Sequence, residues 1–359
     1  PGLSSRMPNP SAEVGPSGGW ASNASPSQVA SALRKAPRIL VLTHMKPDGD
    51  AAGSSLALTR ALNLMPGHRA EVAFGGPTPA WLPILAGTTP RRTWERDGPP
   101  ADEPDAIVVI DTGSWSQLEL FKSYLAPRAA RTIVIDHHRR GDPDVGAMRW
   151  IDPGAAAVCQ LAAGLCCLLL NVMPDGLPHE VASACSLGLA TDTGWFRHSN
   201  VSSDVMSLAA DLLDAGVPAN ELYQTVEQQE SLTRLHLMAR ALASLELHAA
   251  GRIGMMTLTR ADFTATGASS SETGGMIDLP QTIASVKVAA LLTETDPAEY
   301  SLPPGTPVTK VSLRSKTDEI DVDLVCRALG GGGHKRAAGA KVNATLADTK
   351  ARLLAALGA

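Results

Sequence analysis

At 359 residues, with 44% hydrophobic and 19% charged residues, the chain exceeds the usual size of one domain and can bury a core without disulfides or a structural metal. Its net charge of −5, with no stripe of lysine and arginine, excludes a protein that tracks long nucleic acid and favours a small substrate or a few nucleotides. The five cysteines (159, 166, 167, 185 and 326) lack metal-ligand spacing and sit in apolar or helical patterns, as buried thiols in a reducing compartment do.

Residues 1–28 are rich in Pro, Ser, Gly and Asn and read as a disordered tail rather than a signal peptide. Arg38 to His44 is a predicted buried strand, and Ala51 to Met65 a helix. Strands follow at Glu71–Phe74, Asp105–Asp111 and Thr132–Asp136. Near-continuous apolar strands alternating with helices imply an α/β fold, a parallel sheet with helices on both faces. Ala155 to Met173 carries no charge and is long enough to span a bilayer. Its small and polar residues, its lack of flanking Lys or Arg, and the turns Pro153-Gly154 and Pro174-Asp175-Gly176 argue a core helix and no membrane span. Helical patterning continues from Val181 to about His248, with turns at Gly194 and Gly216-Val217-Pro218.

A smaller C-terminal α/β unit is expected from Arg252, with strands at 253–259, 285–292, 309–313 and 339–342. A helix at 321–329 ends in four glycines, and a last helix closes the chain. The expected domains are thus 29–230 (catalytic), 231–251 (helical linker) and 252–359 (substrate-binding).

In open α/β sheets ligands bind beyond the carboxyl ends of the strands. Three such ends here read His44-Met45-Lys46-Pro47-Asp48-Gly49-Asp50, Asp111, and Asp136-His137-His138, and Asp192 adds a carboxylate from a helix end. Singly, Asp48-Gly49-Asp50 is also a turn, and an Asp after a strand is also a helix cap. Together, these carboxylates and imidazoles on one rim repel unless cations lie among them. Oxygen-rich ligands with a few imidazoles and no thiolate favour Mn²⁺ or Mg²⁺ over structural zinc. A pair of such ions can activate a nucleophile and neutralise a phosphoryl group.

His44-x-x-Pro47-Asp48-Gly49-Asp50-Ala51, Asp111, Asp136-His137-His138 and Asp192-Thr193-Gly194 resemble the four successive motifs of the DHH phosphoesterase superfamily, over roughly residues 28 to 345. The resemblance implies one metal on His44, Asp48 and Asp111 and a second on Asp50, Asp111, His137 and Asp192. It makes Asp111 the bridge, His138 the group facing the phosphoryl, and Asp136 the carboxylate that orients an imidazole. Two Mn²⁺ ions, with Mg²⁺ as substitute, are the implied cofactors. A membrane span at Ala155–Met173 would put Asp136-His137 and Asp192 on opposite sides of a bilayer, where they could share no metal.

Gly330 to Gly333, followed by His334-Lys335-Arg336 and Ala337-Ala338-Gly339, lets backbone approach a ligand and turn N–H groups toward an anion. Arg314-Ser315 offers a guanidinium and a hydroxyl for a phosphate. This half resembles the DHH-associated domain of the branch that holds short-oligoribonucleotide hydrolases and 3′-phosphoadenosine-5′-phosphate (pAp) phosphatases. By that resemblance Arg314, Ser315, Gly332, Gly333 and His334 bind the terminal nucleotide. Trp195, Ala155-Ala156-Ala157 and Gln117 depart from the branch's pattern, which bears on substrate choice rather than on the metal ligands. The expected function is cytoplasmic hydrolysis of short single-stranded RNA to 5′-mononucleotides, with pAp as a further substrate. The expected partners include no long duplex, and a homodimer is compatible. The alternatives are a linear or cyclic dinucleotide phosphodiesterase and, with no ligand lost from the motifs to support it, a silent nucleotide-binding module.

Overall fold

Most strands of the first unit bury consecutive apolar residues and leave neither face of the sheet polar, so the sheet must be covered twice. In the computed structural model, which describes residues 19–358, these strands are β1 (Arg38–Leu42), β2 (Arg69–Phe74), β3 (Arg91–Thr93), β4 (Ala106–Ile110), β5 (Thr132–Asp136) and β6 (Met148–Ile151). They form one parallel sheet in the order β3-β2-β1-β4-β5-β6. The helices in chain order are α1 (Pro26–Arg34), α2 (Gly49–Asn63), α3 (Leu82–Ala86), α4 (Trp94–Asp97), α5 (Lys122–Leu125), α6 (Val158–Leu170), α7 (His179–Asp192), α8 (Ser203–Asp214) and α9 (Ala219–Glu227).

Ile39, Val41, Val72, Val108, Ile110, Ile133 and Ile135 pack one face of the sheet against α1, α2, α6 and α7. Their neighbours Leu40, Leu42, Ile107, Val109 and Val134 pack the other face with Trp94, Leu118, Phe121 and Leu125. Helix α2 is wrapped on nearly all sides, with thirteen of its fifteen residues buried. Truncating Leu56 or Leu58 there to alanine is expected to cost about 2–5 kcal/mol. Helix α6, within the expected core segment 155–173, has thirteen residues and buries most of them. Among the described residues no helix is long and apolar enough to cross a membrane.

The expected disordered tail needs correcting. Residues 1–18 lie outside the described residues. Residues 22–24, however, run along the free edge of β6: Ser22 Oγ exchanges hydrogen bonds with both backbone groups of Ile151, and Asn23 does so with Arg149. These contacts satisfy an edge that would otherwise expose a row of donors and acceptors. Ser25 then opens α1 through a capping box with Gln28, a signature legible in Ser25-Pro-Ser-Gln28.

The chain divides between Gln228 and Gln229. The second unit contains α10 (Leu232–Ala243), β7 (Glu246–His248), β8 (Ile253–Leu258), α11 (Arg260–Thr266), β9 (Val288–Glu294), β10 (Thr309–Ser315), α12 (Val322–Ala328), β11 (Gly332–His334), β12 (Ala337–Val342) and α13 (Leu346–Ala356). Its sheet runs β11-β12-β10-β9-β8-β7, antiparallel except for the β8–β9 pair. Residues 231–251, expected as a linker, belong to this unit. Leu237 and Ala241 of α10 are buried against Met256, Leu258 and Leu291, and β7 is the sheet's edge strand. An amphipathic helix between two domains reads as a connector in sequence; here its apolar stripe is core.

Candidate metal centre

The strand order reverses between β1 and β4, the place where doubly wound sheets open a crevice. His44 and Asp48 follow β1, Asp111 follows β4, Asp136 closes β5 before His137 and His138, and Asp192 closes α7. The structure brings these side chains together in three overlapping groups: His44, Asp48 and Asp111; Asp50, His137 and Asp192; and Asp111, His137 and His138. His44 Nε2 lies 3.6 Å from Asp111 and 3.9 Å from Asp48. His137 Nε2 lies 3.4 Å from Asp111, 3.7 Å from Asp192 and 3.8 Å from Asp50.

Each element fixes its ligand by hydrogen bonds on the side away from the cluster. Nδ1 of His44 meets the Met45 carbonyl at 3.0 Å, and Nδ1 of His137 meets that of Ala155 at 3.1 Å. A carbonyl only accepts, so both Nδ1 atoms carry hydrogen and both Nε2 atoms face the centre. The Asp50 carboxylate accepts from the N–H groups of Val158 at 2.6 Å and Cys159 at 2.9 Å, the open N-terminus of α6. No residue pattern signals that anchor, because its donors are backbone. Asp48 keeps its other reading as well: its Oδ1 caps α2 through the N–H groups of Asp50 and Ala51.

Asp111 stands at the meeting point with φ of 65°, a left-handed conformation that Asp tolerates better than most residues. Its side chain is 3% exposed, and its Oδ1 is buried without a hydrogen-bond partner. An orphaned carboxylate oxygen ringed by imidazoles and carboxylates fits a cation.

Asp136 is fully buried and serves His138. Its Oδ1 accepts from the N–H groups of His137 and His138 and, at 2.7 Å, from His138 Nδ1. The bond to Asp136 raises the His138 pKa against the cost of burial. Burial would depress His44 and His137, but the adjoining Asp111 carboxylate and the other nearby carboxylate charges prevail, holding His44 at about 9 and His137 at about 10. Burial and then the charge of Asp111 push Asp50 well above the carboxylate range, and burial also raises Asp192. Asp111 stays low despite burial because the imidazoles of His137 and His44 beside it favour its charged form. The cluster therefore shares protons where a divalent cation would take their place.

In the second unit Arg314 and His334 are in neighbouring positions of one sheet, each beside Ala337 of β12. Among the described residues Arg314 donates to its neighbour's carbonyl and meets no carboxylate, so its guanidinium is available to an anion. Ser315 is different: it is buried and its hydroxyl donates to the Thr317 carbonyl, which fixes the end of β10. The glycine run also departs from expectation. The N–H groups of Gly330 and Gly331 close α12 by donating to Arg327 and Cys326, and that of Gly333 donates to Asp323. A Cβ on Gly331 would lie 2.2 Å from the Gly339 carbonyl, so the glycines allow a tight hairpin rather than a nest of free donors. Gly332 and Gly333 form β11, which sequence patterning missed because glycine carries no β signal.

Comparison with known proteins agrees with this geometry. Residues 38–189 match the model of the DHH family, N-terminal domain, and residues 258–359 that of the DHHA1 domain. The chain is 28% identical to the bifunctional oligoribonuclease and PAP phosphatase NrnA of Thermus thermophilus, covering 84% of this chain and 83% of the relative. It is 25% identical to the cyclic-di-AMP phosphodiesterase PdeA of Listeria monocytogenes, covering 91% of this chain but 48% of that protein. An exopolyphosphatase-related protein from Bacteroides fragilis shares the fold, with a TM-score of 0.77 at 23% identity over 93% of this chain and 95% of its own. The chain thus carries a DHH family N-terminal domain over residues 38–189, followed by a DHHA1 domain over residues 258–359.

Proposed function

We propose that this phosphoester hydrolase cleaves short single-stranded oligoribonucleotides to 5′-mononucleotides, and also removes the 3′-phosphate of pAp, in the cytoplasm. The observation that carries the reading is the convergence of Asp48, Asp50, Asp111, Asp192, His44 and His137 on one rim around the orphaned Asp111 oxygen. The match to NrnA along most of both chains supports the substrate class.

In this reading His44, Asp48 and Asp111 hold one Mn²⁺ and Asp50, Asp111, His137 and Asp192 a second, with Mg²⁺ able to substitute. Such ions, when bound, supply charge neutralisation at the phosphoryl group and a hydroxide nucleophile near neutral pH. The protein's own residues do the rest. His138, its pKa raised by the bond to Asp136 and its side chain half-exposed, donates from Nε2 to a phosphoryl oxygen and stabilises charge as it develops. Arg314 and His334 bind the terminal nucleotide's phosphate, and the hairpin of Gly332 and Gly333 lets backbone come close to it; Ser315 shapes the strand beneath. Contacts remote from the reacting atoms position the scissile bond.

The match to PdeA along nearly all of this chain favours a second reading, hydrolysis of a linear or cyclic dinucleotide. Product analysis over pAp, pApA, cyclic di-AMP and RNAs of increasing length decides between them. Fast turnover of dinucleotides and pAp with a steep fall on longer RNA supports the first. Preference for cyclic di-AMP supports the second, and undiminished rates on long RNA exclude both.

A further inference from the structure

The N-terminal segment does more than cover an edge. After Gly19 the chain places Trp20 against the loops that follow two residues of the centre. Trp20 Nε1 donates to the backbone carbonyl of His138 at 2.9 Å. Its indole fills the space that glycine leaves at both loops: a Cβ on Gly113 would lie 1.6 Å from the ring, and one on Gly141 2.5 Å. Gly113 is two residues past Asp111, and Gly141 three past His138. The loops are tied beneath the ring, with Asp142 N–H donating to the Gly113 carbonyl at 2.7 Å and Trp115 N–H to the Asp142 carboxylate at 2.8 Å. Ser22 and Asn23 anchor the segment to β6.

A tryptophan that only covered apolar surface would need neither an N–H bond to His138 nor two glycines at its faces. We propose that Trp20 is a positioning residue for the phosphoester hydrolysis inferred above. It clamps the Gly113 and Gly141 loops together and, through the His138 carbonyl, holds the His138 imidazole and Asp111 in register. A small displacement at a reacting group is costly: misplacement by about 1 Å can reduce turnover ~100-fold. The effect belongs in kcat, because Trp20 acts on groups that meet the phosphoryl and not on substrate grip.

The test uses the full chain with Mn²⁺ and bis-p-nitrophenyl phosphate. Trp20→Ala is expected to lower kcat by about 10- to 100-fold with KM within about twofold, and to speed amide exchange across residues 137–142. Trp20→Phe, which keeps the ring contacts but loses the N–H, should fall between it and wild type. Gly113→Ala evicts the indole, so it should damage the wild type as Trp20→Ala does, yet change the Trp20→Ala background by under about twofold. If Trp20→Ala folds poorly, the Trp20→Phe and Gly113→Ala proteins carry the same comparison. Unchanged kcat and unchanged exchange in Trp20→Ala, a loss of thermal stability alone, or additive losses in the double variant each overturn the proposal. Inactive wild type overturns the hydrolase reading, and with it this role; active wild type with an indifferent Trp20→Ala overturns this role alone.

Discussion

Because Asn adopts the left-handed backbone of Asp111 as readily as Asp does, Asp111→Asn separates charge from conformation. The substitution should leave the thermal midpoint nearly unchanged while lowering kcat by roughly 1,000-fold, since one neutral amide cannot hold two cations close together. A loss under about tenfold in steady-state assays would return Asp111 to the role of a strand-end cap. The protons on the cluster give a second expectation. His44 at about 9 and His137 at about 10 are charged at neutral pH, and a cation must displace those protons. Affinity for Mn²⁺ should therefore tighten as pH rises from 6 toward 9, with protons released on binding. Calorimetry in buffers of different ionisation enthalpy measures both, and pH-independent binding without proton release contradicts it. The same shifts fix the sign for the metal-stripped protein. With folded pKa values above the ordinary 6.5, His44 and His137 stabilise it fully below that pH and lose the contribution as pH climbs through 9 to 10.

A carboxylate also secures an element of the second unit, the start of α10. Glu272 accepts from the hydroxyls of Ser231 and Thr233 and from the Ser269 N–H, tying the first turn of the helix to the loop at 269–273. These bonds, the Ser231 hydroxyl first, hold its pKa down at about 2 against an ordinary 4.5. A lowered pKa means the contribution is present above 4.5 and lost as pH falls through 2. Glu272→Gln should lower the second unit's melting temperature near neutral pH, with the gap to wild type closing as acid protonates Glu272. A gap independent of pH across that window would point to lost packing instead. Elements also show what the sequence could and could not say. The strands β1, β4 and β5 were legible because each is a short apolar run, rich in Ile and Val, that leads to Asp or His at or just past its end. The three-residue strands β3, β7 and β11 were not, since nothing distinguishes so brief a run until a neighbour pairs with it. Asp50's anchor on the α6 N-terminus and the bond from Trp20 to the His138 carbonyl join residues 108 and 118 positions apart, a separation at which local patterning carries no information.

At the scale of the whole molecule, two units divide the proposed labour. If the first performs the chemistry and the second grips the nucleotide, Arg314→Ala and His334→Ala should each lose at least about tenfold in kcat/KM on a dinucleotide and little on bis-p-nitrophenyl phosphate. Equal losses on both substrates would place these residues at the chemical step. The first unit's topology has a further consequence, for the order of folding. β1 pairs with β4 some seventy residues later, Trp20 bonds across a span of 118 residues, and Ser22 meets Ile151 across 129. Such distant pairings make closure slow, because the entropy of long loops is lost before contacts repay it. During synthesis, Ser22 has no strand to join until β6 has left the ribosome, and Asp192 is made after every other ligand. Capture of an ion by the Asp50, His137 and Asp192 group must then follow nearly complete folding of the first unit, so that ion cannot serve as its nucleus and can only lock the finished product.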